Sequence, residues 1–174
     1  ACLAAFFGGA LIAFSTGEPD LLQLKPSEQR ELFDRLDSAQ SQYRFARLLH
    51  TVGGYQSVRQ FFPEDEYYVR MADVELARLY LEPNYFDPDR ALRIFQELAS
   101  LDETQRKFRS AGLAGETVVY HLRGEFHKSQ LHLAEVVDQS LMAELEPDLR
   151  RELEQITRKN GEAIGRAQRG QRRK

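Results

Sequence analysis

The stretch from Pro63 to Leu98 reads PEDEYYVRMADVELARLYLEPNYFDPDRALRIFQEL. Apolar and small residues recur in it every three or four positions, the spacing that places them on one face of an α-helix. Each half also opens with a helix-start pattern, because Pro63 and Pro88 stand beside acidic residues that favour the positive end of the helix dipole. The stretch therefore predicts two helices joined by a turn, which is a helical hairpin.

The same spacing extends over most of the chain. The predicted helices cover residues 26–53, about 56–62, 63 to near 83, 87–98, 102–124, 126–138 and 147–158. Gly53-Gly54 and Gly124 are expected to end the helices that precede them. Because no stretch alternates with period two for long, the sequence predicts an all-α chain of seven or eight helices with short loops.

Composition narrows the class of protein. The 174 residues are 42% hydrophobic and 29% charged, so they suffice for one domain with a buried core and exclude collagen-like and low-complexity chains. The single cysteine, Cys2, excludes a disulfide framework and any zinc site built on cysteine. The net charge of -3 excludes no class.

Residues 1–14 read ACLAAFFGGALIAF and contain no charged side chain. A membrane span takes about 20 apolar residues, so residues 1–15 fit the end of a transmembrane anchor that begins upstream. They also fit the hydrophobic region of a secretory signal, with Ala13-Phe14-Ser15 resembling its cleavage site. A buried core helix is the third interpretation, and Gly8-Gly9 and the absence of polar residues at helical spacing count against it. The anchor is favoured.

Residues 16–25 are predicted as a linker between this segment and one helical domain over 26–157. Between Thr16 and Leu24 the chain has acidic residues and no Lys or Arg. Since Lys and Arg accumulate on the cytoplasmic side of a span, this favours a membrane-anchored or secreted protein whose globular part is not cytoplasmic.

Three segments of the predicted domain share a pattern: a small residue, a large one three positions later, a turn, and a small or apolar residue four positions before a large apolar one. They are Phe45-Ala46-x-x-Leu49 … Val58-x-x-x-Phe62, Leu76-Ala77-x-x-Tyr80 … Ala91-x-x-x-Phe95, and Thr117-x-x-Tyr120 … Ser129-x-x-x-Leu133. The spacing is 33 residues from Val58 to Ala91 and 38 from Ala91 to Ser129. Over about 39–143 the chain resembles the tetratricopeptide repeat (TPR) family, whose period is about 34 residues.

The resemblance implies antiparallel helix hairpins stacked into an α-solenoid, in which the helix at 147–158 caps the array. The small residues would let paired helices approach closely, and the large ones would fill the space beside them. The turn Glu82–Asp87 is longer than the family's tight turn. An irregular bundle of helical hairpins is the alternative fold.

In TPR arrays the first helices of successive repeats line a concave groove that binds other proteins. Matching the family pattern places these residues there: Gln40, Tyr43, Arg47 and His50, then Met71, Val74, Arg78 and Leu81, then Ala114, Val118 and His121. Arg47 and Arg78 occupy equivalent positions, so they are expected to form a basic ridge suited to bidentate capture of carboxylates. The asparagines of the family's chaperone-binding clamp are absent, which argues against chaperone C-termini as the ligand.

The sequence offers little for catalysis. No G-x-S-x-G, H-E-x-x-H or G-x-x-x-x-G-K-[ST] motif occurs. His127 and His132 are five positions apart, whereas a metal pair on one helix face needs three or four. Gly112-Leu113-Ala114-Gly115 lies inside a helical pattern, so it predicts close helix packing rather than a phosphate loop. We therefore expect that the protein is not an enzyme and that it has no cofactor and no metal site.

Residues 158–174 are predicted as a disordered basic tail. They contain one acid, Glu162, and seven basic residues: Arg158, Lys159, Arg166, Arg169, Arg172, Arg173 and Lys174. Such a segment is either a solvated tail, the favoured interpretation, or a contact for anionic lipid, nucleic acid or an acidic partner. No aromatic residue is interleaved to stack on bases, which argues against nucleic acid as a specific partner.

Together these features predict a protein-interaction scaffold or assembly factor of the cell envelope, which binds other proteins through the concave groove. The alternative is a helical bundle that docks on anionic membrane or nucleic acid through the basic tail. Salt separates the two, since tail-driven binding falls steeply with ionic strength.

Overall fold

The computed structural model describes residues 33–171, with side chains described as far as Arg169. Over this range it contains seven α-helices, two short 3-10 turns and no strand, which confirms the predicted all-α class for these residues. The helices are α1 (Ala39–Leu49), α2 (Val52–Phe61), α3 (Glu66–Leu79), α4 (Pro88–Ala99), α5 (Arg106–Leu122), α6 (Phe126–Asp138) and α7 (Pro147–Gln171). The 3-10 turns are Glu103–Gln105 and Leu141–Glu144.

Several predicted helix starts are confirmed by their capping. The Asp87 side chain accepts a hydrogen bond from the Arg90 N–H, and Pro88 stands in the first turn of α4. Asp102 accepts from the Thr104 N–H at 2.8 Å, at the 3-10 turn that leads into α5. α7 begins at Pro147 as predicted.

The prediction of a single helix over 26–53 is wrong for residues 33–53, which the structure describes. α1 begins at Ala39, after a non-helical stretch from 33 to 38, and ends at Leu49 because His50 adopts a left-handed conformation with φ 51°. Gly53 and Gly54, which the sequence suggested as a stop, lie inside α2. The Thr51 side chain accepts a hydrogen bond from the Gly54 N–H, so these glycines belong to a helix start.

The helices pack in an ordered series. Each helix contacts the next one in the chain, and α1 also contacts α3, α3 contacts α5, and α5 contacts α7. One hydrophobic cluster is centred on α1–α5 and a second on α5–α7 with the 3-10 turn Leu141–Glu144. α5 therefore contributes to both clusters and joins the two halves of the core.

Glycines on α5 allow α4 to approach it closely. A Cβ added at Gly112 would lie 2.3 Å from the Ala99 backbone nitrogen, and one at Gly115 would lie 2.2 Å from the Phe95 ring. Real side chains do not fit at such distances, so only glycine suits these positions. The prediction that this glycine pair serves close helix packing is confirmed.

The described part of the predicted disordered tail is helical, which corrects that expectation. α7 continues to Gln171 without interruption. Its buried face continues from Ile156 past residue 158, because Asn160 is fully buried. Asn160 Nδ2 donates to Ser129 Oγ at 2.8 Å, and the His121 Nδ1–H donates to Asn160 Oδ1 at 2.6 Å. These bonds attach the C-terminal half of α7 to α5 and α6.

The predicted anchor or signal (1–15) and the linker (16–25) lie outside the described residues. Between residues 33 and 171, no helix combines the length and the apolar character that a membrane span requires.

Candidate functional site

A groove lies along the face where α3, α5 and α7 meet, and we call it the α3–α5–α7 groove. It consists of two adjoining, partly open clefts with cavity volumes of about 40 and 340 Å³. The residues common to both clefts are Val74, Arg78, Ala111 and Leu149. One cleft extends from them towards Met71 and Phe108, and the other towards Leu81 and Leu122.

The floor of the groove is apolar and follows the length of α5. Phe108, Ala111, Val118 and Leu122 of α5 line it at intervals of three to seven residues. Between the ends of this row, the small side chain of Ala111 leaves a hollow, while the space beside Gly115 is taken by the ring of Phe95. From Phe108 to Leu122 the floor is about 21 Å long at 1.5 Å per helical residue.

Carboxylates outnumber cationic side chains around the groove. The acidic lining residues are Glu75, Glu82, Glu144, Glu146 and Glu152, and the basic ones are Arg78 and Lys107. Arg78 Nη1 lies 3.3 Å from Glu146 Oε2, so these two charges compensate each other. The rim therefore has a net negative charge.

Lys107 lies at the Phe108 end of the groove, among uncharged groups. Its ammonium nitrogen is 3.4 Å from the Tyr67 hydroxyl and 3.5 Å from the Met71 sulfur. It also stands 5.4 Å from the centroid of the Tyr67 ring, a cation–π distance. This cation is thus held beside aromatic and apolar surface.

Five predicted groove residues line this groove. Met71, Val74 and Arg78 of α3 line the first cleft together. Leu81 and Val118 line the second. Ala114 is fully buried in the core that α5 shares with α6 and α7.

The residues predicted from the first repeat have different surroundings. Gln40 and Arg47 are exposed on α1, and the Arg47 guanidinium lies 5.9 Å from the centroid of the Tyr43 ring. Tyr43 itself is only 5% exposed and belongs to the core, so the expectation that it lines an open groove is wrong. Its ring packs against Tyr68 of α3, with the centroids 5.9 Å apart.

His50 and His121 both make structural hydrogen bonds. His50 Nδ1 is 3.1 Å from the Tyr55 hydroxyl and Nε2 is 2.9 Å from Glu82 Oε1, so His50 connects the end of α1 to the end of α3. His121 bonds Asn160 of α7, as described above. Their neighbours account for both histidines without a ligand.

The electrostatic field of Glu75 extends beneath the groove. Burial and then the nearby Glu75 carboxylate raise the pKa of Tyr43 to about 12, and the same two causes raise the pKa of Tyr55 to about 12. The hydroxyl of Tyr43 has no hydrogen-bond partner among the described residues. Negative charge at Glu75 thus acts on the core residues next to α3.

A buried acid lies away from the groove, between α5 and α6. Glu116 is 5% exposed, and its Oε2 lies 3.2 Å from His132 Nδ1. Burial raises the pKa of Glu116, while the neighbouring His132 opposes that shift. The His132 ring stacks on Tyr120 with the centroids 5.0 Å apart, so the pair is packed into the interface between these helices.

Sequence reasoning missed the wall of the groove that α7 provides. Leu149 and Glu152 of α7 line it, together with Glu146 just before the helix, although the last helix was expected only to cap the array. Phe108 and Lys107 were missed because the family pattern was matched further along α5. The sequence signal that could have predicted this wall is the face of α7 beside its buried positions, where acidic and apolar residues both occur.

No known protein family, curated protein or solved structure shows a significant match to this chain. Within residues 33–171, no three His, Cys, Asp or Glu side chains gather in an arrangement that could hold a metal ion.

Proposed function

We propose that this chain is a TPR-like α-solenoid that acts as a protein-interaction scaffold or assembly factor and binds its partners in the α3–α5–α7 groove. The observation that carries the proposal is the groove itself, an apolar floor about 21 Å long with a charged rim. Apolar surface of this kind, rimmed by polar residues, is typical of protein-binding sites. In this proposal the chain has no catalytic role and needs no cofactor.

Burial at equivalent positions supports the repeat arrangement. The small residues Ala46, Ala77 and Thr117, which the pattern aligns, are all fully buried. The second aligned set, Val58, Ala91 and Ser129, is fully buried as well. Stacked helical hairpins also produce contacts between alternate helices, as found here for α1 with α3, α3 with α5, and α5 with α7.

The cell envelope is proposed as the location. The charge-free run over 1–14 and the following stretch without Lys or Arg support a membrane-anchored or secreted chain with a non-cytoplasmic globular part. In such a chain the groove would face partners outside the cytoplasm.

The test is a groove-filling substitution with a matched control. Ala111→Trp places a large ring in the middle of the groove, whereas Ala134→Trp places the same ring on the exposed side of α6. Partners crosslinked to the wild-type chain should be lost with Ala111→Trp and retained with Ala134→Trp, provided that both variants keep their helical circular dichroism. Equal recovery with both variants would contradict binding in the groove.

A second candidate function is docking on an anionic surface through α7. Arg158, Lys159, Arg166 and Arg169 are exposed, and at 100° per residue they fall within about 100° of the helix circumference. This basic stripe lies opposite the buried face that contains Ile156 and Asn160. Sedimentation with vesicles containing phosphatidylserine, compared with neutral vesicles and with rising salt, tests this function.

A further inference from the structure

We infer that the α3–α5–α7 groove receives a cationic amphipathic helix, whose apolar side chains lie on the floor and whose Lys or Arg side chains reach the carboxylates of the rim. This inference rests on the proposed function of the groove and specifies the chemical class of the partner.

The shape of the floor favours a helical partner. The floor runs along α5, so its lining residues are spaced by about one or two helical turns. These residues are Phe108, Ala111, Val118 and Leu122. A partner helix presents its apolar anchors at i, i+3, i+4 and i+7, which matches this repeat. The floor length of about 21 Å corresponds to a helix of about 14 residues.

The charges of the rim set the sign of the partner. Among the described residues Glu75 and Glu152 form no ion pair, and they stand on opposite sides of the groove, on α3 and α7. Arg78 lies between the two clefts but already faces Glu146 at 3.3 Å. A cationic side chain entering the groove therefore meets carboxylates that lack a partner, whereas an anionic one meets net negative charge.

This sign differs from the expectation of a basic ridge at Arg47 and Arg78. Arg78 is engaged with Glu146, and Arg47 is placed over the Tyr43 ring on α1. This surface therefore favours binding of a partner's cationic side chains over binding of its carboxylates.

Two synthetic peptides test the inference. Both have 14 residues with Leu at the same helical positions, and the polar positions are Lys in one and Glu in the other. Fluorescence anisotropy with the full chain should show that the Lys peptide binds at least about tenfold more tightly than the Glu peptide. Its affinity should also fall as salt is raised.

Single substitutions locate the binding site. Glu75→Gln and Glu152→Gln should each weaken the Lys peptide by about two- to fivefold, since each removes one ion pair at a partly exposed site. Glu154→Gln is the matched control, because Glu154 is exposed on α7 two residues from Glu152 and does not line either cleft. Ala111→Trp should abolish binding of the Lys peptide, and Ala111→Leu is the milder variant if the tryptophan disturbs folding.

The possible outcomes separate this inference from the proposed function. If Ala111→Trp blocks both peptides but the Glu peptide binds as tightly as the Lys peptide, the groove binds proteins and the inferred charge of the partner is wrong. If the Lys peptide binds but Ala111→Trp and the two Glu→Gln variants leave its affinity unchanged, binding occurs elsewhere and both proposals fail. If neither peptide binds, the cationic helix is not the occupant.

Discussion

Replacing Gly112 by Ala should destabilise the protein, because α4 leaves no room for a methyl group. The added Cβ would lie 2.3 Å from the backbone nitrogen of Ala99, 2.6 Å from the carbonyl oxygen of Phe95 and 2.7 Å from the carbonyl carbon of Leu98. These distances are roughly 1 Å short of the 3.5–4.0 Å optimum for such contacts. Since all three atoms belong to the backbone, no rotamer change can relieve the overlap, and α4 itself has to move.

The expected magnitude combines two opposing effects. Overpacking a helix interface costs about 1–3 kcal/mol, while Ala in place of Gly within a helix contributes about 0.5–1 kcal/mol of stability. We expect a net loss of about 1–2 kcal/mol for Gly112→Ala. Gly161→Ala on α7 is the matched control, because a Cβ there meets nothing within 4 Å, and it should gain about 0.5–1 kcal/mol.

Urea denaturation of the two variants measures this difference directly. Gly115→Ala adds an internal check, since its Cβ would meet the ring of Phe95 at 2.2 Å rather than backbone. A ring can be replaced, so Gly115→Ala should recover stability when combined with Phe95→Leu, whereas Gly112→Ala should not. If Gly112→Ala proves as stable as Gly161→Ala, then α4 and α5 are not in the close contact described above.

Three further predictions concern two buried residues and one half-buried acid. Ala77→Leu should lower the free energy of unfolding by about 1–3 kcal/mol in a denaturation experiment, because Ala77 is fully buried; no change would contradict the predicted close helix packing at this position. Asn160→Ala should cost about 1–3 kcal/mol by removing the partner of Ser129 and His121, and amide hydrogen exchange in the C-terminal half of α7 should accelerate, whereas unchanged exchange would show that these bonds do not hold the helix. Burial raises the pKa of Asp73 above 3.8, so the folded chain binds this proton more tightly than the unfolded chain and stability falls as the pH rises through the raised pKa. Asp73→Asn should remove that part of the pH dependence, and identical slopes for both proteins would count against the raised pKa.

Local sequence signals predicted most of the helices, although the helix expected to start at Pro63 begins at Glu66, where the Asp65 side chain caps it. α6 has the predicted bounds, 126–138, and Asp87 and Pro147 mark helix starts as expected. The junction of α1 and α2 was missed because Gly53-Gly54 resembles a helix end, whereas the left-handed turn falls on His50, a residue without a strong preference for it. That turn is stabilised by contacts of His50 with other helices, which no local pattern contains.

The groove could be predicted only in part, because it is formed between helices. Met71, Val74 and Arg78 share one face of α3, and the resemblance to the TPR pattern grouped them. Tyr43 has the same periodicity, but its ring is buried against Tyr68. Because tyrosine has an apolar ring and a polar hydroxyl, the sequence does not show whether this side chain lies in the core or on the surface. The contribution of α7 depends on how that helix packs, so its acidic residues stayed outside the prediction.

The last helix also determines how the two candidate functions can be told apart. α7 contributes Leu149 and Glu152 to the groove, beside Glu146 just before its first residue, and presents the basic stripe on its C-terminal half. Deleting residues 158–174 would remove the stripe but also Asn160, whose hydrogen bonds attach α7 to α5 and α6 and thereby support one wall of the groove. Loss of partner binding after that deletion would therefore fit either function. Replacing the exposed Arg158 and Arg166 by Gln removes charge without touching the buried face, so a loss of binding in that variant assigns the partner to the stripe and unchanged binding assigns it to the groove.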